Sequence, residues 1–189
     1  MDALRASLNH HAERVWEAVA PDLPGFSVEV LTEIDSTNTE LMRRARAGTL
    51  SPTLLVALSQ TAGRGRRGKA WVSAPGDSLT FSLGLPLAPA DWSGLSLAVG
   101  VSLADSLHPE VRLKWPNDLW WRGRKLGGIL VETANPGAPQ GTGRCAVVGV
   151  GLNLATPQLP ELPPAEMPPV PPAGLRECLP ELDAGALLL

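Results

Sequence analysis

Apolar residues recur at helical spacing over residues 3–19. Leu4, Leu8, Ala12, Val15, Trp16 and Val19 fall on one stripe, which predicts an amphipathic helix. Pro21 to Gly25 end it. The pattern then changes to alternation in FSVEVLTEI, Phe26 to Ile34, which reads as a strand. Asp35 or Ser36 can cap the next helix, because a short side-chain acceptor satisfies orphan N–H groups; the helix runs to about Ala47 and stops at Gly48. TLLVAL, Thr53 to Leu58, is apolar on both parities and predicts a largely buried strand. A glycine- and arginine-rich loop follows. Leu79 to Leu87 is another strand, entered through Pro75-Gly76-Asp77, and Asp91 to His108 is an apolar helix. Strands are predicted at Val111 to Trp115, at Leu119 to Arg122 and at Lys125 to Glu132, the last two as a hairpin over Gly123. Asn135 to Gly143 reads as a turn-rich loop and Arg144 to Leu154 as a last strand. The strands cluster, and helices do not alternate with them. The expected class is therefore α+β, with helices on one face of the sheet, rather than a doubly wound parallel fold.

The tail breaks this pattern. Nine of the 19 prolines lie between Pro157 and Pro180, which predicts an extended loop rather than helix or central strand. Asp183 then opens DAGALLL, a helix of one to two turns. So short a helix is marginal in water unless its leucines pack on the core. The expected organisation is a folded core over 1–154 and a proline-rich loop with a short terminal helix over 155–189.

Composition narrows the classes. The chain has 189 residues and a net charge of −3, which suits one domain with a sizeable core. Cys145 and Cys178 make no disulfide scaffold, and no metal-type spacing joins them to His10, His11 or His108. No signal core or transmembrane run is present, so a cytoplasmic protein with no membrane partner is expected. The absence of tyrosine excludes phenolic catalysis. Charge is unevenly placed: nine of the 16 basic residues lie between Arg64 and Lys125. Local positive charge in an acidic protein suits a small anionic ligand better than a duplex, which calls for a basic face.

The densest part of that charge is GRGRRGKAW, residues 63–71. It reads equally as a solvated turn, as a nucleic-acid patch or as a phosphate-gripping loop, in which glycines let backbone N–H groups approach an anion and arginines supply forked donors. It is not a Walker A loop, and no apolar helix follows it as in a dinucleotide fold. Four other segments carry chemistry, though each alone has a plainer reading. DSTN at 35–38 is first a helix cap, KWPND at 114–118 a turn, RKLGGIL at 124–130 a hairpin, and GVGLNL at 149–154 a strand whose Asn153 satisfies backbone.

Taken in order, DSTN, QTAGRGRRGKAW, KWPND, RKLGGILVE and GVGLNLA resemble the biotin–protein ligase family over Ile34 to Ala155. The resemblance implies a mixed, mainly antiparallel sheet like that of class II aminoacyl-tRNA synthetases. It implies that biotin and ATP with Mg²⁺ give biotinyl-5′-AMP, and that a lysine of the biotin carboxyl carrier protein of acetyl-CoA carboxylase then takes the biotinyl group. By position it places Ser36, Thr37, Asn38, Gln60, Gly63, Arg64, Lys125 and Gly127 at biotin. Arg66, Arg67, Asn117, Lys125 and Asn153 fall at ATP or the adenylate. Lys125, Arg66 and Asp118 carry catalysis, with Asp118 also the metal candidate. Lys114 and Trp115 support their motif. All three lysines of the chain, Lys69, Lys114 and Lys125, fall in these motifs. The resemblance leaves a homodimer open.

Two departures shape the expectations. Only 34 residues precede DSTN, too few for the winged DNA-binding domain of some members, so no DNA partner is expected. The residues after the proline-rich stretch leave no room for the small β-barrel that ends most members and helps bind ATP and the carrier. The prolines also replace a segment that usually folds over adenine. The rival readings are a catalytically weak biotin- or carrier-binding module and a lipoate–protein ligase.

Overall fold

The computed structural model of the chain describes residues 2–87, 92, 94–135, 144–158 and 170–189. All but Asn135 of the expected loop at Asn135 to Gly143 and much of the proline-rich stretch lie outside the described residues, as do Asp91 and Ser93 at the start of the expected third helix.

Helix α1 spans Asp2–Val19, α2 Thr37–Arg46 and α3 Leu95–Leu107. The strands are β1 (Ser27–Ile34), β2 (Thr53–Gln60), β3 (Ser78–Pro86), β4 (Val111–Lys114), β5 (Asp118–Trp121), β6 (Arg124–Ala134) and β7 (Cys145–Asn153). They form one sheet in the order β1-β2-β3-β7-β6-β5-β4. Only β1 and β2 pair in parallel, across the α2 crossover; the other neighbours are antiparallel. The mixed, mainly antiparallel sheet is thus as expected.

Local chemistry explains the boundaries. Ser36 caps α2, its Oγ accepting from the Thr39 N–H at 3.3 Å, and Gly48 leaves the helix at φ 72°. Arg122 and Gly123 turn the β5–β6 hairpin, both at positive φ, as a two-residue turn matched to strand twist requires.

Helices α1 and α3 lie against one face, as the pattern predicts, but α2 lies against the other. The alternation of β2 sorts them. Leu54, Val56 and Leu58 pack in one core with Leu8 and Val15 of α1 and Ala104 of α3. Leu55, pointing the opposite way, packs with Leu41, Met42 and Ala45 of α2 and with Cys145 and Val147 of β7. This is why β2 is apolar on both parities. Full burial of each such leucine contributes about 1.5–3 kcal/mol. The far half of the α2 face, over β3, β5, β6 and β7, carries small or polar residues instead and is left concave.

At the C-terminus, DAGALLL forms a 3-10 turn at Ala186–Leu188 rather than a full helix. Leu187 and Leu188 pack on the α1 core, and Ser7 of α1 donates to Asp183 at 2.7 Å. The tail is therefore docked, which is what so short an element needs.

Candidate active site

The concave part of the α2 face is a cavity of about 410 Å³, within the usual range for a small-molecule site. Ser36, Thr37, Asn38, Gln60, Arg64, Arg66, Arg67, Asn117, Asp118 and Lys125 all line it. Gly149, Val150 and Gly151 of GVGLNL line it too, so residues from five separate motifs meet in one place.

One end is a hydrogen-bonded polar floor. Gln60 Oε1 accepts from the Thr37 N–H at 2.8 Å and lies 3.2 Å from its hydroxyl. Thr37 Oγ1 lies 2.8 Å from Ser82 Oγ, which donates to Asn38 Oδ1 at 2.8 Å. Asn38 Nδ2 donates to Glu132 Oε2 at 2.8 Å, and Arg64 Nη2 reaches the same oxygen at 2.9 Å while its Nε donates to Thr39. Gln60, Ser82 and Glu132 thereby fix the DSTN segment, with Arg64 holding Glu132. Ser36, Thr37 and Asn38 are at most 4% exposed, so any of these bonds left unmade would cost about 1–3 kcal/mol. Ser82 and Glu132 were not singled out from the sequence. A signal for Ser82 exists, because Thr80 and Ser82 interrupt an apolar strand at the same parity, but the partner of Glu132 is purely tertiary.

The other end is charged. Lys125 Nζ donates to Asp118 Oδ1 at 2.7 Å, and both side chains are partly exposed to the cavity. A bulge sets this geometry. Asp118 pairs with Gly128 and Leu119 with Gly127, but Trp120 pairs with Lys125. The skipped residue turns Lys125 to the same face as Gly128; strict alternation would point it away. Gly128 keeps the space open, since a Cβ there would lie 3.7 Å from both Lys125 Nζ and Asp118 Oδ1.

The glycine-cation loop closes the side. Trp71 N–H donates to Gly63 O at 2.9 Å and Gly65 N–H to Lys69 O at 2.7 Å, so the loop doubles back on itself. Arg66–Gly68 form a 3-10 turn with Arg67 at φ 56°. Arg66 Nη1 donates to Asn117 Oδ1 at 2.9 Å, joining the loop to KWPND across the cavity. Trp71 forms a wall that the sequence reading did not assign. Its indole lies on Gly151, where a Cβ would come within 2.5 Å of the ring. Its Nε1 is buried with no partner among the described residues.

Gly63, Gly127 and Asn153 do not line the cavity. A Cβ at Gly63 would meet Trp71 O at 2.5 Å, and one at Gly127 would meet Gly151 O at 2.5 Å, so both glycines serve close backbone packing. Asn153 Nδ2 donates to Ala173 O at 3.1 Å and to Lys125 O at 3.4 Å; the side chain faces the C-terminal segment. Lys114 stacks over Trp120 at 5.4 Å, consistent with a supporting part. No cluster of three metal-ligating side chains exists among the described residues.

The Gly151 contact gives a direct check. Gly151→Ala should lower stability by about 1–3 kcal/mol through overpacking against Trp71. The parent chain is the reference. Urea unfolding with the same stability for Gly151→Ala and the parent would show that Trp71 does not occupy this wall.

Residues 30–153 match the model of the "Biotin/lipoate A/B protein ligase family". The chain is 39% identical over 145 residues to the biotin–[acetyl-CoA-carboxylase] ligase of Mycobacterium tuberculosis, covering 71% of this chain and 51% of that one. It is 45% identical over 142 residues to the bifunctional ligase/repressor BirA of Escherichia coli, covering 70% and 42%. Among solved structures, biotin protein ligase from Aquifex aeolicus in complex with biotin and ATP is similar with a TM-score of 0.64 and 30% identity, over 85% of this chain and 65% of that one. The chain spans about half the length of the curated relatives it matches. With five motifs gathered on one cavity and two thirds of the sequence matched, the chain belongs to the biotin/lipoate A/B protein ligase family.

Proposed function

We propose that the cavity joins biotin to ATP and then delivers the biotinyl group to a carrier lysine. The observation that carries this reading is the division of one cavity into a neutral polar floor and a cationic end. A ureido ring offers N–H and C=O edges on an apolar body, and the fixed hydroxyls and amides of Ser36, Thr37, Asn38 and Gln60 suit those edges. Arg66, Lys125 and Asn117 suit the phosphates.

In the first step a biotin carboxylate oxygen attacks the α-phosphorus of ATP. A C–O–P bond forms, the bond to the β-phosphate oxygen breaks and pyrophosphate leaves. No protein nucleophile is needed, because the acid is the nucleophile. The chain's own task is to bring two anions together and offset their repulsion, and Lys125 stands where it can touch both. In the second step a carrier amine attacks the biotinyl carbonyl, AMP leaves and the amine loses a proton. The proposed acceptor is the biotin carboxyl carrier protein of acetyl-CoA carboxylase.

Asp118 is the one carboxylate lining the cavity among the described residues, and it already pairs with Lys125. That fits Mg²⁺ only as an ion carried in by the nucleotide's phosphates, with Asp118 as its protein ligand, a mode this ion favours. The proposed setting is the cytoplasm. No helix among the described residues is long and apolar enough to cross a membrane.

The test is pyrophosphate release on adding ATP with biotin or with lipoate. Release with biotin alone is expected. Release with lipoate alone would assign the chain to the lipoate branch of the family, and binding of biotin with no release would leave a binding module.

A further inference from the structure

Lys125 is held from outside the cavity as well as from within. The β6–β7 ladder ends at Gly127 and Leu152, so Lys125 has no β7 residue opposite it. The C-terminal strap, residues 170–177, supplies the missing partners. Lys125 N–H donates to Pro171 O at 2.9 Å, and Ala173 N–H donates to Lys125 O at 2.8 Å. The strap thus forms a short parallel bridge, Lys125 to Pro172, at which prolines need donate nothing.

One side chain locks the strap in place. The Glu177 carboxylate accepts from Arg124, the residue before Lys125, in a two-pronged contact with Nη1 at 3.1 Å from Oε1. It also accepts from the Thr156 hydroxyl, just beyond β7, and from the Gly174 N–H at 3.1 Å. Three segments therefore converge on one group. Gly174 lets them do so, since a Cβ there would lie 2.4 Å from Thr156 N. Ala173 and Leu175, on either side, are fully buried and anchor the strap to the core. The Arg124 guanidinium, then the Thr156 hydroxyl, hold the Glu177 carboxyl at about 2, well below the usual carboxylate range, so the lock is charged at any working pH.

We propose that Glu177 is a positioning residue for Lys125: by locking the strap it fixes the Lys125 backbone and keeps Nζ aimed into the cavity beside Asp118. The catalytic consequence rests on the adenylation reading given above.

The test compares Glu177→Gln, which keeps shape and removes charge, with the parent chain. On biotin-saturated protein the rate constant for biotinyl-5′-AMP formation should fall about 10- to 100-fold, the scale of a misplaced reacting group, with biotin affinity within twofold. In a Lys125→Ala background the same change should have no further effect on that rate, because the residue it acts through is gone. A second readout needs no turnover. With three lysines in the chain, ¹³C-methylated lysine signals are assignable, and Glu177→Gln should move that of Lys125 but not those of Lys69 or Lys114. Should this variant fail to fold, Thr156→Val removes one donor to the same carboxylate and should shift both readouts in the same direction by less. In an active parent, any other pattern overturns the proposal, above all a rate loss that persists without Lys125. If the parent forms no biotinyl-5′-AMP, the function proposed above fails, and the Lys125 signal alone decides whether Glu177 positions it.

Discussion

Replacing Lys125 by alanine is expected to slow formation of biotinyl-5′-AMP by roughly 100- to 1000-fold on biotin-saturated protein, while biotin affinity changes only a few-fold. The magnitude is that of removing one preorganised donor from a site where charge develops. The asymmetry comes from geometry. The polar floor made by Thr37, Asn38, Gln60 and Ser82 is complete without Lys125. Lys125 meets only the end of the cavity where carboxylate and phosphate would approach each other. Its pairing with Asp118 at 2.7 Å complicates the reading of a single variant, because alanine also strands a carboxylate beside the incoming phosphates. Lys125→Ala combined with Asp118→Asn removes that stranded charge. If the double variant recovers most of the rate, repulsion from Asp118 rather than loss of the cation explains the defect. Rapid-mixing measurement of pyrophosphate release, with calorimetry for biotin, separates the two steps. A collapse of biotin affinity with an unchanged rate on saturated protein would refute the assignment of Lys125 to the phosphate end.

Much of this arrangement was legible before any coordinates, and the limits have physical causes. Hydrophobic spacing located α1, α2 and the strands through their buried stripes and faces, and Gly123 marked the hairpin through turn chemistry, although Arg122 belongs to the turn rather than to the strand. The face that each helix covers was not legible. The apolar run of β2 says that both sides are buried, but not by which helix. Ten of the residues that the motifs named line one cavity, since a motif records which residue types a ligand needs. It does not record orientation. Lys125 points inward only because of a bulge at Leu119/Trp120, and Asn153 turns out to the strap because Ala173 O lies there. Glu132 and Trp71 join the site through contacts 94 and 80 positions apart in sequence, to Asn38 and Gly151, beyond the reach of any local pattern; the polar interruption of β3 marks Ser82, but not its partner Asn38, 44 positions away.

The glycine-cation loop carries the second large expectation. Arg66→Gly should leave fold and biotin binding intact and release biotinyl-5′-AMP roughly 10- to 150-fold faster. Arg66 is exposed, and its side chain contributes a single bond, to Asn117 at 2.9 Å. The polar floor lies on other residues, so biotin has no reason to bind more weakly. The adenylate does. A protein of net charge −3 gains nothing from its overall field for an anion, and the attraction must be local. Arg66, Arg67 and Lys69 would supply it, from a turn that already reaches across the cavity to KWPND. Losing one charged hydrogen bond to phosphate costs about 1.5–3 kcal/mol, which converts to the stated change in off-rate. The mixed anhydride is reactive once free, so the variant should also biotinylate amines on a bystander protein that the parent leaves unlabelled. Stopped-flow release of preformed biotinyl-5′-AMP and bystander labelling report the two effects independently. An unchanged off-rate would mean that the arginines of GRGRRGKAW do not hold phosphate, and the loop would revert to a solvated turn.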